Sequence, residues 1–172
     1  MTLFLIGYMG SGKSVVGKKL AEVLKYNYLD FDDYISDKEQ STISELFSVK
    51  GEIYFRKAEF KYLKDLMQLK DTVVALGGGT PCYGNNMQSL INAPQSCVIY
   101  LKTSIPHLTD RLFEERQQRP LIAHITSKEA LQEFIGKHLF ERAPYYERAD
   151  IAVTTDNKSL SEITEEILLK LY

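Results

Sequence analysis

The residues best suited to chemistry stand near the start of the chain, in the stretch Gly7-Tyr-Met-Gly-Ser-Gly-Lys-Ser14. Glycines let a backbone curl so that consecutive N–H groups point at one anion. Lys13 can bridge two phosphate groups, and the Ser14 hydroxyl is the kind of oxygen ligand that Mg²⁺ prefers. The spacing Gly-x-x-x-x-Gly-Lys-Ser is the P-loop pattern, which predicts binding of a nucleoside triphosphate together with magnesium.

The flanks of this stretch favour the same interpretation. The apolar run Thr2–Ile6 precedes it and predicts a strand. The residues after it predict a helix from Lys13 to Lys25, because Gly17, Leu20, Ala21 and Leu24 recur at helical spacing. At average amino-acid composition, roughly a few in a thousand chains of this length would contain the pattern by chance. A glycine-rich turn without a ligand is therefore disfavoured.

Two carboxylates follow a second apolar stretch, in "YLDFDDYI". If strand geometry continues past Tyr28, Asp30 and Asp32 project from the same side of the chain. One of them could hold magnesium through water while the other holds a substrate hydroxyl. A solvated turn is the competing interpretation of these aspartates.

A third stretch, "YFRKAEF", places Arg56 and Glu59 three residues apart on one helix face. An ordinary surface ion pair is the commonest meaning of such spacing. The polar stretch "RQQRPLI" then puts Arg119 before a proline between two predicted helices, which is typical of a mobile loop. Neither stretch decides a function alone.

The run Gly77–Gly79 follows the apolar stretch "TVVAL". Glycines at the carboxyl end of a strand expose backbone where ligands of open α/β sheets bind, which favours a small second substrate. A P-loop protein could be a small-molecule kinase, a GTPase switch or an ATPase coupled to movement. The guanine-reading Asn-Lys-x-Asp is absent, since "NKSL" at Asn157 lacks the aspartate, and an ATPase would usually end such a strand in aspartate.

The elements that must position these residues alternate along the chain. Apolar runs predict strands at Thr2–Ile6, Tyr28–Asp30, Thr72–Leu76, Cys97–Leu101 and Ile151–Thr154. Helices are predicted at Lys13–Lys25, from a capping box at Thr42 and Glu45 toward Val49, from Glu52 after Gly51 to Leu69, and at Ser104–Glu115, Ser127–Arg142 and Ser159–Leu171. Strands alternating with helices predict one α/β domain over residues 1–172, with helices on both faces of a parallel sheet.

Composition narrows the classes of function. The chain has 172 residues, 44% hydrophobic and 26% charged, with a net charge of -2. That charge argues against a general nucleic-acid binder, so an anionic ligand must meet locally placed cations. No apolar stretch is long enough for a membrane span and no secretory leader is evident, so we expect a cytoplasmic protein. Cys82 and Cys97 are expected to be free thiols, and the three histidines to lie on the surface or in the mobile loop.

Six landmarks in their order resemble the shikimate kinase family over nearly the whole chain. They are "GYMGSGKS" at Gly7–Ser14, "DFD" at Asp30–Asp32, "FRKAE" at Phe55–Glu59, "GGG" at Gly77–Gly79, "RPL" at Arg119–Leu121 and "RAPYY" at Arg142–Tyr146. The resemblance implies a P-loop kinase fold with a five-stranded parallel sheet in the order 2-3-1-4-5 and a mobile lid. It also implies transfer of the ATP γ-phosphate to the 3-hydroxyl of shikimate, a step of aromatic amino acid biosynthesis.

The resemblance further assigns roles to individual residues. It implies that ATP is bound by Gly10, Ser11, Gly12, Lys13, Ser14, Val15, Arg111 and Arg119, and that Ser14 and Asp30 serve Mg²⁺. Shikimate would be bound by Asp32, Arg56, Glu59, Gly77, Gly78, Gly79 and Arg142, with Arg56 and Arg142 clamping its carboxylate. Lys13, Asp32 and Arg119 would be the catalytic residues. The lid would be the segment 117–124, and the protein would be a monomer with no nucleic-acid or membrane partner.

Two alternatives stay open at this point. Another P-loop kinase of small molecules, acting on gluconate or a nucleoside monophosphate, would share Lys13 and Ser14 but would not be expected to carry both the "FRKAE" and the triple-glycine stretches. An ATP-binding regulatory module without catalysis is the second alternative, and the presence of Lys13, Asp32 and Arg119 argues against it.

Overall fold

A five-stranded parallel sheet forms the centre of the computed structural model, which describes all residues from Met1 to Tyr172. The strands are β1 (Thr2–Ile6), β2 (Asn27–Asp30), β3 (Thr72–Ala75), β4 (Ser96–Lys102) and β5 (Ile151–Thr154). They lie in the order β2-β3-β1-β4-β5, and every neighbouring pair is parallel. The expected sheet order is confirmed, and it brings the carboxyl ends of β1 and β3 side by side.

Seven α-helices connect and flank the strands. They are α1 (Lys13–Leu24), α2 (Phe31–Glu39), α3 (Ile43–Leu66), α4 (Asn86–Asn92), α5 (Ile105–Glu115), α6 (Lys128–Tyr146) and α7 (Leu160–Leu171), with short 3-10 turns at Thr80–Cys82 and Arg116–Gln118. Serines begin three of the helices, because Ser104, Ser127 and Ser159 each accept a hydrogen bond from a first-turn N–H. The predicted helices are therefore present, with starts one residue later where a serine is the cap.

The sequence prediction is wrong around Asp30. Strand β2 ends there, and the chain enters α2 instead of continuing as a strand. The Asp30 side chain caps the new helix, since its Oδ1 accepts hydrogen bonds from the N–H groups of Asp32 (3.0 Å) and Asp33 (3.4 Å). The same-side strand geometry expected for Asp30 and Asp32 is thus replaced by a cap and a first-turn position.

Other helices also differ from the prediction, and α3 ends at Leu66 instead of Leu69. Helix α4 was not predicted at all, and it begins at Asn86 without a side-chain cap. Helix α6 passes the expected end at Arg142 and continues through Pro144 to Tyr146. The longer α6 places Arg142 and Tyr146 on one helix.

Helix α3 is two helical segments joined at Gly51, as the sequence predicted. Gly51 has φ 83° and ψ 169°, a conformation that residues with a Cβ rarely adopt. The capping box of Thr42 and Glu45 is present at the helix start. After the kink, Phe55, Leu63 and Leu66 are buried, so the helix presents Arg56 and Glu59 at a fixed angle to the sheet.

Two hydrophobic cores lie on opposite sides of the sheet, because alternate residues of a strand point to opposite faces. Leu3 and Leu5 of β1 pack with buried residues of α1 and α7, whereas Phe4 and Ile6 pack with the larger core around α3, α5 and α6. Burial on both faces explains why β1 is apolar throughout. Both cysteines are free thiols, and none of the helices combines the length and apolarity that crossing a bilayer requires.

Candidate active site

A cleft of about 560 Å³ opens at the carboxyl ends of β1 and β3. It gathers side chains that are far apart in sequence: Lys13, Ser14, Asp30, Asp32, Arg111 and Arg119 line it together with Gly77 and Gly78. The sheet order explains the convergence, because the loop after β1 and the glycines after β3 leave from adjacent strands. A cleft lined by opposed charges suits a ligand that carries phosphates and hydroxyls.

The phosphate loop is curled as the P-loop pattern requires. Gly10 and Gly12 have φ values of 79° and 91°, in the left-handed region. The ammonium group of Lys13 donates to the carbonyl oxygens of Gly7 (2.8 Å) and Tyr8 (3.0 Å), which closes the loop on itself. Burial lowers the pKa of Lys13 to about 8, with nearby Asp32 opposing the shift and Arg119 adding to it. A phosphate anion at this point would favour the charged lysine.

Ser14 and Asp30 form a pair of oxygen ligands beside the loop. The Ser14 Oγ lies 3.4 Å from Oδ2 of Asp30, while the other carboxylate oxygen of Asp30 is committed to capping α2. No group of three or more His, Cys, Asp or Glu side chains in the structure could hold a metal. The oxygen chemistry of the pair fits Mg²⁺, whose other ligands would be phosphate oxygens and water.

Asp32 sits in the first turn of α2 and faces the triple glycine. A Cβ atom placed on Gly77 would lie 3.0 Å from Oδ1 of Asp32, so the carboxylate lies directly against that backbone. Burial raises the pKa of Asp32 to about 6, the charges of Asp30 and Glu59 add to the shift, and Lys13 opposes it. A carboxylate with this pKa is ionised at neutral pH and is a better proton acceptor than an ordinary aspartate.

Arg56 and Glu59 do not form the surface pair that is commonest for this spacing. Glu59 is 1% exposed, and its Oε1 accepts a hydrogen bond from Nη1 of Arg56 at 2.9 Å. The second oxygen of Glu59 accepts from the hydroxyl of Thr80 at 2.6 Å. An interior carboxylate with two donors is a fixed support, so it holds the guanidinium of Arg56 in one orientation.

Arg142 of helix α6 reaches the same glycine as Arg56 of helix α3. A Cβ atom on Gly79 would lie 3.0 Å from Nη2 of Arg56 and 3.3 Å from Nη2 of Arg142. A Cβ on Gly78 would lie 3.2 Å from Nη1 of Arg142. Two guanidinium groups therefore converge on the glycine backbone, and any side chain there would displace them. This arrangement can receive a planar carboxylate.

The other two arginines expected to bind ligands, Arg111 and Arg119, line the cleft beside the phosphate loop. Arg111 donates from Nη1 to the carbonyl oxygen of Gly10 in the phosphate loop. Arg119 is paired with Glu115, whose Oε2 lies 2.8 Å from its Nη2. The segment 117–124 that contains Arg119 is anchored by Ile122, which is fully buried, while Leu121 is 53% exposed. Arg119 therefore lines the cleft from a segment in which Ile122 packs into the core.

Several contacts were not predicted from sequence. Tyr8 and His138 share a hydrogen bond of 2.9 Å, and His138 is half-buried on helix α6. The Tyr146 hydroxyl donates to the carbonyl oxygen of Gly78 at 2.5 Å. The only indication of a role for Tyr146 in the sequence was its position in the stretch "RAPYY". Thr155 and Lys158 also line the cleft, although no role was assigned to them from the sequence. Such contacts join residues that no local pattern relates.

Comparisons with known proteins agree with this geometry. A sequence model described as shikimate kinase matches residues 9–172. A curated shikimate kinase of Flavobacterium johnsoniae is 41% identical over 96% of this chain and 96% of its own length. The crystal structure of a shikimate kinase from Bacteroides thetaiotaomicron superposes with a TM-score of 0.90 at 30% identity, covering 99% of this chain and 98% of that one. A shikimate kinase from Acinetobacter baumannii in complex with shikimate gives a TM-score of 0.86 at 31% identity, with 99% and 92% covered.

Proposed function

The chain belongs to the shikimate kinase family, and from that premise we propose how its residues phosphorylate shikimate with ATP. The overall reaction follows from the family: the γ-phosphoryl group of ATP passes to the 3-hydroxyl of shikimate, giving shikimate 3-phosphate and ADP. The observation that carries the assignment of residues is the convergence of Arg56 and Arg142 on Gly79, beside the phosphate loop. A carboxylate held there and a triphosphate held at the loop would meet in one cleft.

The phosphate loop is proposed to bind the triphosphate through the backbone N–H groups of Gly10, Ser11, Gly12, Ser14 and Val15 and the ammonium of Lys13. Lys13 now donates to two carbonyl oxygens of its own loop, and phosphate oxygens are stronger acceptors for the same donors. Ser14 and Asp30 would hold Mg²⁺, which neutralises phosphate charge and polarises the phosphoryl group when bound. Arg111, beside Gly10, would lie by the adenine.

Shikimate is a carboxylate that carries three hydroxyl groups, so its site needs guanidinium groups at one end and acceptors at the other. Arg56 and Arg142 supply the first, with Glu59 fixing Arg56. Asp32 supplies the second: it accepts a hydrogen bond from the 3-hydroxyl and either takes its proton or orients it. The backbone of Gly77, Gly78 and Gly79 lies between these ends and offers N–H donors to the ring hydroxyls.

Charge builds on the transferring phosphoryl group, and two cations are placed to stabilise it. Lys13 comes from the loop, and Arg119 comes from the segment 117–124, which we propose to be the lid. In the present structure Arg119 is paired with Glu115, so its move onto the phosphates requires that ion pair to open. If the Arg119 guanidinium reaches the phosphates only after both substrates have bound, it stabilises the transition state more than the bound substrates.

The family assignment decides between the alternatives. Gluconate and nucleoside monophosphate kinases share the phosphate loop but would not be expected to carry the pair of arginines that meets the triple glycine of this chain. A regulatory module without catalysis would have no reason to keep Lys13, Asp32 and Arg119 lining one cleft. The chain therefore has the features of an active kinase rather than of a binding module.

The test is ADP release measured with shikimate, gluconate, AMP, CMP and no acceptor. We expect turnover with shikimate alone. Arg56→Lys and Arg142→Lys keep the charge but lose the planar fork, so the KM for shikimate should rise about tenfold or more while the KM for ATP changes little. Arg148→Lys is the matched control, since Arg148 is exposed and contacts Gln88. Unchanged shikimate KM values in both clamp variants would refute the assignment.

A further inference from the structure

Arg56 is held from two sides by the segment that follows the triple glycine. On one side the Thr80 hydroxyl donates to Glu59, whose other oxygen accepts from Nη1 of Arg56. On the other side the ring of Tyr83 lies under the guanidinium, with its centroid 3.7 Å from the Arg56 Cζ. We propose that Thr80 and Tyr83 are positioning residues that set the affinity for the acceptor carboxylate, a role that rests on the proposed Arg56 clamp.

The link through Thr80 is fully buried. Thr80 is 0% exposed, and its hydroxyl lies 2.6 Å from Oε2 of Glu59. The Thr80 carbonyl oxygen in turn accepts from the side-chain amide of Asn86 at 2.8 Å, which ties the 3-10 turn at Thr80–Cys82 to helix α4. A buried carboxylate needs its donors, because an unpaired oxygen in the interior is costly. Thr80 therefore determines where the Glu59 carboxylate stands, and through it where Nη1 of Arg56 stands.

The contact with Tyr83 acts on the face of the guanidinium. Stacking on an aromatic ring is favourable for a planar cation and restricts its rotation about the long side chain. The Tyr83 hydroxyl donates to Oε1 of Glu52 at 3.2 Å, and Glu52 itself lies 3.8 Å from Nε of Arg56. The ring is thus held over Arg56 from the helix that carries Arg56.

The Thr80 and Tyr83 contacts leave Nη2 of Arg56 available for a ligand, while the buried Nε makes no hydrogen bond and lies 3.8 Å from Oε1 of Glu52. Nη1 of Arg56 is committed to Glu59, whereas Nη2 makes no hydrogen bond within the chain and faces Gly79 beside Arg142. Loss of either support would let the guanidinium rotate without removing it. Such a change should weaken carboxylate binding and leave phosphoryl transfer from bound substrate nearly intact, which separates a positioning role from a catalytic one.

Thr80→Val removes the hydroxyl but keeps the shape of the side chain. We expect it to raise the shikimate KM about tenfold, with kcat within about threefold of wild type, and Thr80→Ser to restore most of the affinity. Thr72→Val is the matched control: it deletes another buried threonine hydroxyl, which bonds to the Lys70 carbonyl at the opposite end of β3. Urea unfolding of each variant shows how much stability is lost, and ATP KM is the internal reference.

For Tyr83 the informative pair is Tyr83→Phe, which keeps the ring, and Tyr83→Leu, which removes it. We expect the phenylalanine variant to stay within about twofold of wild-type shikimate KM and the leucine variant to rise about fivefold or more. The positioning role would be overturned if Thr80→Val changed kcat and the KM values of both substrates to the same extent. It would also be overturned if Thr72→Val raised the shikimate KM as much as Thr80→Val. If Arg56→Lys itself left shikimate KM unchanged, the clamp would fail instead, so the two failures are distinguishable.

Discussion

The hydroxyl oxygen of Tyr8 lies 2.9 Å from Nδ1 of His138, and this contact joins the phosphate loop to helix α6. Burial raises the pKa of the Tyr8 phenol, so the phenol keeps its proton and donates it. Burial and the charge of Arg142 lower the pKa of His138, against a smaller opposing effect of Glu141, so the neutral ring accepts. The loop that bears Lys13 is thus tied to the helix that bears Arg142.

We predict that the contact stabilises the protein more at pH 7.5 than at pH 5.5. A histidine whose folded pKa lies below its unfolded value binds its proton less readily in the folded state, so stability falls as pH drops through the unfolded pKa. His138→Gln should cost about 1 kcal/mol at pH 7.5, and the gap to wild type should narrow at pH 5.5. Urea unfolding at both pH values measures this, and a gap that widens at pH 5.5 would contradict it.

Lys13→Met is expected to abolish turnover without loss of the fold. Removing the cation that meets the phosphates should lower kcat by about 10³-fold or more. The pKa of Lys13 is lowered to about 8, so its charge costs the ligand-free protein stability below that pH, and this cost offsets the loss of its two hydrogen bonds to Gly7 and Tyr8. The variant should therefore be about as stable as wild type at pH 7. Lys19→Met is the control on the same helix, since Lys19 pairs only with Glu22. Appreciable turnover by the Lys13 variant would disprove the assignment.

Asp32→Asn should produce opposite effects on activity and on stability. The rate should fall by about 10²-fold or more, because an amide cannot accept the hydroxyl proton. The pKa of Asp32 is raised to about 6, so its ionisation destabilises the folded protein as pH rises through that value. The variant should therefore be more stable than wild type at pH 7.5 and equal to it near pH 4. Thermal unfolding at the two pH values checks the sign.

The same pKa predicts how wild-type activity depends on pH. If the ionised Asp32 is the acceptor, kcat/KM for shikimate should decline below about pH 6, by roughly tenfold per pH unit. The acid limb should disappear in Asp32→Asn, whose residual rate has no such carboxylate. A limb that persists unchanged in the variant would assign it to another group.

Arg119→Ala tests the proposed lid. A cation that leaves Glu115 and reaches the phosphates late should affect kcat by about 10²-fold while shikimate affinity changes little. Arg116→Ala is the neighbouring control, because the Arg116 guanidinium stacks on Phe113 and does not line the cleft. Steady-state kinetics with calorimetric titration of shikimate measure both quantities. A kcat within about threefold of wild type, or an equal change in Kd, would argue against a lid.

The sequence by itself determined the five strands, five of the seven helices and the phosphate loop, but not α2 and α4. The apolar strands, the capping box at Thr42 and the break at Gly51 depend on residues close together in the chain, and local spacing is what a sequence shows. The loop from Gly7 to Ser14 is equally local, so its conformation could be predicted. The order of the landmarks then carried the resemblance from which the sheet order and the reaction were expected.

Only the tertiary structure decided what the charged residues do. Spacing alone made Arg56 and Glu59 a surface pair and put Asp32 on a strand, because it says nothing about burial or about what lies opposite. The fold buries Glu59 and brings Gly79 between Arg56 of α3 and Arg142 of α6, which are far apart in sequence. The pKa values of Lys13 and Asp32 have the same origin, since desolvation depends on every element that closes over a group.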